Sequence, residues 1–124
     1  ASGFQVGSLL LKSKESALLD FEKARLSGVK ESDIVLTRSF SGRYARGIKN
    51  KFIEALDAAQ KILPYPYQNK LTGELRRVAR INRNADFVNI WTGQSMHSYS
   101  ELSTADIIRS LIKEVEILHT SLVV

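Results

Sequence analysis

A chain of 124 residues, 44% apolar and 25% charged, is long enough for one domain with a real core. It holds no run of about 18 apolar residues that would suggest a membrane-spanning helix. The absence of cysteine excludes disulfides, thiolate metal sites and a cysteine nucleophile, and fits a reducing compartment such as the cytoplasm; with only His97 and His119, a histidine-rich metal site is not expected either. The net charge of +5 is uneven, because Arg38 to Arg83 carries eleven Lys/Arg against three Asp/Glu. A basic middle of this kind points to nucleic acid, a phosphate-bearing cofactor or an acidic neighbouring surface.

The chain opens on Phe4 to Leu11, an apolar run containing Gly7, which reads as a strand buried on both faces, as in a parallel sheet. A domain that begins on such a strand is expected to be the C-terminal part of a longer protein. Gly7 and Ser8 fall near the end of the strand. There a glycine either lets a ligand approach the backbone or simply relieves crowding, and the serine offers a hydroxyl. Ser13 to Leu26 has helical spacing, with Ser13 or Ser16 as cap, Leu18, Phe21 and Leu26 inward, and Gly28 at the C′ position. Ile34 to Thr37 is a short β-prone run.

Next comes Ser39-Phe40-Ser41-Gly42-Arg43-Tyr44-Ala45-Arg46-Gly47-Ile48-Lys49-Asn50-Lys51-Phe52. Helical spacing puts Tyr44, Ile48 and Phe52 on one side and Arg43, Arg46 and Asn50 nearly opposite. The predicted helix runs on through Phe52, Ala55, Leu56, Ala59 and Leu63. Two arginines at a helix start favour either solvation or a bound anion. Pro64 and Pro66 then impose a rigid turn carrying Tyr65, Tyr67 and Gln68, which either lines a pocket or serves as a packed connector. Leu71 to Arg80 reads as a helix with Leu71, Leu75, Val78 and Ala79 inward and Arg76, Arg77, Arg80 and Arg83 on a solvated basic face. Trp91 to Ser95 reads as a turn with an aromatic anchor, and His97 follows in a polar loop. A final helix starts at Ser103, with Asp106 reaching back to cap it. Its apolar stripe is Ile107, Ile108, Leu111, Ile112, Val115 and Leu118.

Four segments in this order and spacing resemble the C-terminal third of the nitronate monooxygenase (2-nitropropane dioxygenase) family. They are Gly3 to Ser8, Thr37 to Phe52, Leu63 to Thr72, and Trp91 to Ser95. Flavin-dependent enoyl-acyl-carrier reductases look similar over the first two segments only. The resemblance implies an α/β fold, the C-terminal portion of an FMN-binding (β/α)8 (TIM) barrel, mostly helical in this piece with one or two short strands. It implies that residues 1–29 hold the last barrel strand and its helix, 30–100 a helical lid, and 101–124 a helix closing on the barrel. It further implies that Gln5, Val6, Gly7 and Ser8 contact the FMN phosphate, and that the parent oxidises alkyl nitronates with O2. The family's catalytic histidine belongs to a glycine-rich segment not found here. Neither His97 nor His119 has a matching context, so this chain alone is expected to lack the catalytic base and to depend on the N-terminal barrel portion. The competing readings are a small basic helical module that binds nucleic acid, a non-catalytic interaction module, and a fragment of an enoyl reductase relative.

Overall fold

The computed structural model describes residues 2–94 and 99–122. The chain divides into two compact units, Leu19–Met96 and a second made from both ends, Ala1–Leu18 with His97–Val124.

In the unit Leu19–Met96, helix α1 spans Asp20–Leu26. It starts later than its apolar spacing suggests, because residues 10–16 close three-residue turns, with Ser13 N–H donating to Leu10 O and Ser16 N–H to Ser13 O. The cap is neither Ser13 nor Ser16. The N–H of Leu19 donates to Glu22 Oε2 at 2.9 Å, one half of a capping box. Past the C-cap Ser27, Gly28 takes φ +74°, the left-handed C′ geometry expected for it.

Strand β1, Ile34–Thr37, pairs antiparallel with β2, Ala45–Ile48, in the register Ile34↔Ile48, Val35↔Gly47, Leu36↔Arg46 and Thr37↔Ala45. The first half of the expected helix is therefore a turn and a strand. Helical spacing at Tyr44, Ile48 and Phe52 competed with a tertiary constraint and lost. Gly47 is crossed by Trp91 in an antiparallel bridge, so close that a Cβ there would lie 2.7 Å from the indole ring and 2.8 Å from Ile90 O. Hydrogen bonds from Ile48 N–H to Ile90 O and from Thr92 N–H to Arg46 O secure this crossing on the outer edge of β2. The second half of the expected helix does form, as α2, Lys51–Ala59. Asn50 caps it by accepting from Ile53 N–H at 3.0 Å, while its Nδ2 donates to Val88 O at 2.9 Å and Ala85 O at 3.3 Å. One side chain thus starts the helix and ties it to the 3₁₀ turn at Ala85–Phe87.

The core of this unit is Phe40, Leu26, Val88, Ile53, Ile48 and Ile90, all buried. Phe40 is fully enclosed, its ring 4.7 Å from Phe52 and edge-on to Trp91 at 6.1 Å. Trp91 is the aromatic anchor expected of its turn. The two prolines do end the preceding element, and α3, Tyr67–Leu71, leads through Thr72 into α4, Gly73–Ile81. Of the face expected inward on α3 and α4, only Ala79 is buried. Gln68, Thr72 and Ala79 are buried, whereas Leu71, Leu75, Val78 and Ile81 are exposed.

In the other unit, the strand expected over Phe4 to Leu11 is not formed. Residues 3–6 carry no regular structure, and Ser8–Leu10 makes a single 3₁₀ turn. A strand buried on both faces needs neighbours on both edges, and among the described residues none pairs with it. Helix α5 spans Thr104–Leu122. Its start is as expected: Asp106 N–H donates to Ser103 Oγ at 3.2 Å, and Ser103 Oγ donates to Asp106 Oδ2 at 2.9 Å. Glu15 adds a second anchor, Oε2 accepting from Thr104 N–H at 2.8 Å and from Thr104 Oγ1 at 3.0 Å. Only the first residue of the apolar stripe, Ile107, is buried; Ile112, Val115 and Leu118 are exposed.

Candidate functional site

Gln5 and Val6 lie in exposed backbone without regular structure, Gly7 is an exposed bend, and Ser8, half-buried, opens the 3₁₀ turn. Gly7 has φ −133°, which any residue adopts, and the position its Cβ would take has nothing within 4 Å. Nothing in the described chain therefore requires glycine there. The four residues carry amide donors and a hydroxyl and no carboxylate, a donor set suited to an anion.

The residues singled out around the second segment separate into two groups. Arg43, Arg46, Tyr65 and Tyr67 are exposed. The Arg43 guanidinium stacks on the Tyr65 ring at 4.2 Å, and Arg38 lies over Tyr44 at 5.5 Å. Gly42 makes this possible, since φ +88° and close contact with the Leu63–Tyr65 backbone fold the Arg38–Tyr44 loop onto the proline turn. The two Arg–Tyr stacks thus form one exposed basic and aromatic surface. Gln68, by contrast, is an internal brace. Its Oε1 accepts from Leu63 N–H at 3.1 Å and its Nε2 donates to Ser39 O at 2.7 Å. Thr72 Oγ1 likewise donates to Phe40 O at 2.6 Å.

The arginines of α4 are not a solvated face. Arg77 is exposed and pairs with Glu74, but Arg76 and Arg80 are half-buried. Arg76 donates to Asn69 O at 2.8 Å and Asn69 Oδ1 at 3.0 Å, and Arg80 Nε donates to Glu22 Oε1 at 3.2 Å. Burial, and the charge of Arg80 beside it, lower the pKa of Arg76 from its ordinary value. Arg76 and Arg80 thus spend their charge on internal bonds, while Arg43, Arg46, Arg77 and Arg83 stay exposed.

Two hydroxyls escaped the sequence reading. Thr37 and Ser39 are buried with their oxygens 2.7 Å apart, and Ser39 Oγ donates to Asp57 Oδ1 at 2.9 Å, pinning the end of β1 to α2. No spacing signal links Ser39 to Asp57; the turn of the hairpin brings them together. His119 is exposed near the end of α5, and His97 lies outside the described residues, as do Ser95 and Met96. Among the described residues no group of three or more His, Asp or Glu could hold a metal ion, and no helix is long and apolar enough to cross a membrane.

This arrangement matches about a third of a longer chain of known structure. The structure matches nitroalkane oxidase from Streptomyces ansochromogenes with a TM-score of 0.85 and 29% identity, covering 95% of this chain and 34% of that one. A family model described as nitronate monooxygenase matches residues 1–114, and the chain belongs to that family. A probable nitronate monooxygenase of Bacillus subtilis is 38% identical over 116 residues, 92% of this chain and 33% of that protein. One from Staphylococcus saprophyticus is 36% identical over 115 residues, 92% of this chain and 32% of that protein. The chain thus spans about a third of the length of the curated relatives it matches.

Proposed function

We propose that this chain is part of a cytoplasmic FMN-dependent oxidoreductase that oxidises alkyl nitronates with O2. Residues 1–29 supply the segment that becomes the last strand of a TIM barrel once the neighbouring strands are present, and the helix after it; residues 30–100 supply a mainly helical lid or insert, and residues 101–124 the helix that closes on the barrel. The observation that carries the reading is Gly7. It sits in a family-matched segment, at an ordinary φ with open space beside it, so its lack of a side chain serves something other than this chain's own packing. In the proposed enzyme Gln5, Val6, Gly7 and Ser8 hold the FMN phosphate. The Gly7 and Ser8 amides and the Ser8 hydroxyl donate to the dianion, and Gly7 keeps the approach clear. When bound, the flavin supplies the redox chemistry. The residues of this chain bind and orient; the general base comes from the remainder of the polypeptide.

The test uses the parent polypeptide of the relatives' length, purified without added cofactor. A flavin absorption spectrum, with FMN released on denaturation, is expected. Gly7→Leu is expected to leave unfolding unchanged while abolishing flavin retention. A colourless parent that fails to take up FMN overturns the cofactor reading, and normal flavin occupancy in Gly7→Leu overturns the site.

A further inference from the structure

Helices α3 and α4 present their polar side to the protein and their apolar side outward. At about 100° per residue, Gln68, Thr72, Arg76, Ala79 and Arg80 fall within one 120° arc. That arc is the bonded one: Gln68 to Ser39 O, Thr72 to Phe40 O and Arg80 to Glu22 tie it to other elements, and Arg76 to Asn69 joins α4 to α3. On the other side Leu71, Leu75, Val78 and Ile81 form a stripe at spacings of four, three and three, left 68%, 38%, 40% and 67% exposed. An ordinary surface helix has the opposite arrangement. Here the polar arc is fixed by named hydrogen bonds, so the helix cannot simply rotate the stripe inward without breaking them.

We infer that this stripe is the docking face for another segment of the same polypeptide, in the two thirds of a relative's length that lies outside these 124 residues. This rests on the reading of the chain as part of a longer enzyme. Two arguments select that occupant. First, the relatives are about three times as long as the part of them this chain matches. Second, the stripe is small. Four side chains on one helix fall well short of the roughly 20–30 residues a side of a standard interface between separate proteins. A separate partner, including a second copy, must offset about 4–15 kcal/mol of lost translational and rotational freedom. A tethered segment is already at high effective concentration, so a four-residue apolar stripe is enough to seat it.

The stripe is flanked by Lys70, Arg77 and the Glu74 that pairs with Arg77. A charged border beside an apolar centre suits a partner segment that is apolar where it meets the leucines and polar at its margins.

The test is thiol reactivity in the full parent polypeptide, read by mass spectrometry at the introduced site. Leu71→Cys, Val78→Cys and Ile81→Cys report on the stripe, and Lys61→Cys, exposed and outside this helix, is the reference. This chain contributes no competing cysteine. The stripe thiols are expected to react about 100-fold more slowly than the reference, at a ratio independent of protein concentration. Equal rates overturn the inference. Protection that disappears on dilution assigns the face to a second copy and overturns it too. Val78→Cys is close to isosteric and keeps the test available if a larger change disturbs folding. Flavin content is measured on each variant, so loss of the cofactor reading and loss of the docking face are seen separately.

Discussion

Replacing Gly42 by alanine is expected to destabilise the unit Leu19–Met96 by about 3 kcal/mol, from two contributions that neighbouring glycines separate. Gly42 has φ +88°, where an L-residue carries strain of about 1–2 kcal/mol. Its missing Cβ would also lie 2.5 Å from Tyr65 N, 2.6 Å from Leu63 O and 2.8 Å from Pro64 C. All three atoms are backbone, so no side chain can swing aside, and forcing the proline turn away adds about 1–3 kcal/mol. Gly28, at φ +74° with nothing within 4 Å, isolates the strain. Gly47, which has no positive φ but faces Trp91 and Ile90 O, isolates the clash. Urea unfolding followed by far-ultraviolet circular dichroism reads all three. With a slope of about 2 kcal/mol/M, Gly42→Ala shifts the midpoint by roughly 1.5 M, and Gly28→Ala by about half as much. If Gly42→Ala costs no more than Gly28→Ala, the close approach of the loop to the proline turn is refuted.

Asn50→Ala removes the cap of α2 and leaves Val88 O without its donor, an expected loss of about 2–3 kcal/mol in the same urea assay. Asn50→Asp keeps the cap acceptor but sets a carboxylate against two carbonyls; recovery of full stability would show that the Nδ2 bonds contribute nothing. At the start of α5, the hydrogen bond from the Thr104 backbone lowers the pKa of Glu15, and bonds from Ser103 and then Arg109 lower that of Asp106. Depressed carboxylate pKa values stabilise the folded form above the ordinary carboxylate range of about 4. That contribution is lost as pH falls through the folded values. The Thr104 amide is therefore expected to lose hydrogen-exchange protection on acidification, and Glu15→Gln to remove the Glu15 part of the effect.

Legibility in the sequence followed the range of the interaction that decided each element. The Gly28 cap and the Ser103–Asp106 start are set by neighbours within four residues, and Ile34–Thr37 by its residue types and a partner strand that follows closely in sequence; each appears as read. Ala45–Ile48 was misread because its strand depends on Trp91, more than 40 positions away, crossing a residue whose missing side chain leaves no periodic trace. The α3–α4 face was misread because its leucines follow the rule for an inward stripe, while the true inward bonds run from Gln68, Thr72 and Arg80 to distant Ser39, Phe40 and Glu22. Phe4 to Leu11 has a strand's composition, yet a strand is a property of a sheet, and the described residues hold no partner for it. The candidate site at Gln5 to Ser8 came from family resemblance; its donor chemistry was visible in the residue types, and the open space beside Gly7 only in three dimensions.

The bridge between Gly47 and Trp91 also sets an order of assembly. The hairpin β1–β2 joins residues close in sequence and can form as soon as Ile48 has been made. Its outer edge is covered only when residues 90–92 arrive. At about 5–20 residues per second, a ribosome leaves that edge open for roughly 2–9 s. Arg46, exposed on the open strand, places a charge where a foreign strand would otherwise add. The same side chain that the sequence offers as an anion ligand thus guards a half-finished sheet during synthesis, and the indole that arrives last ends the interval.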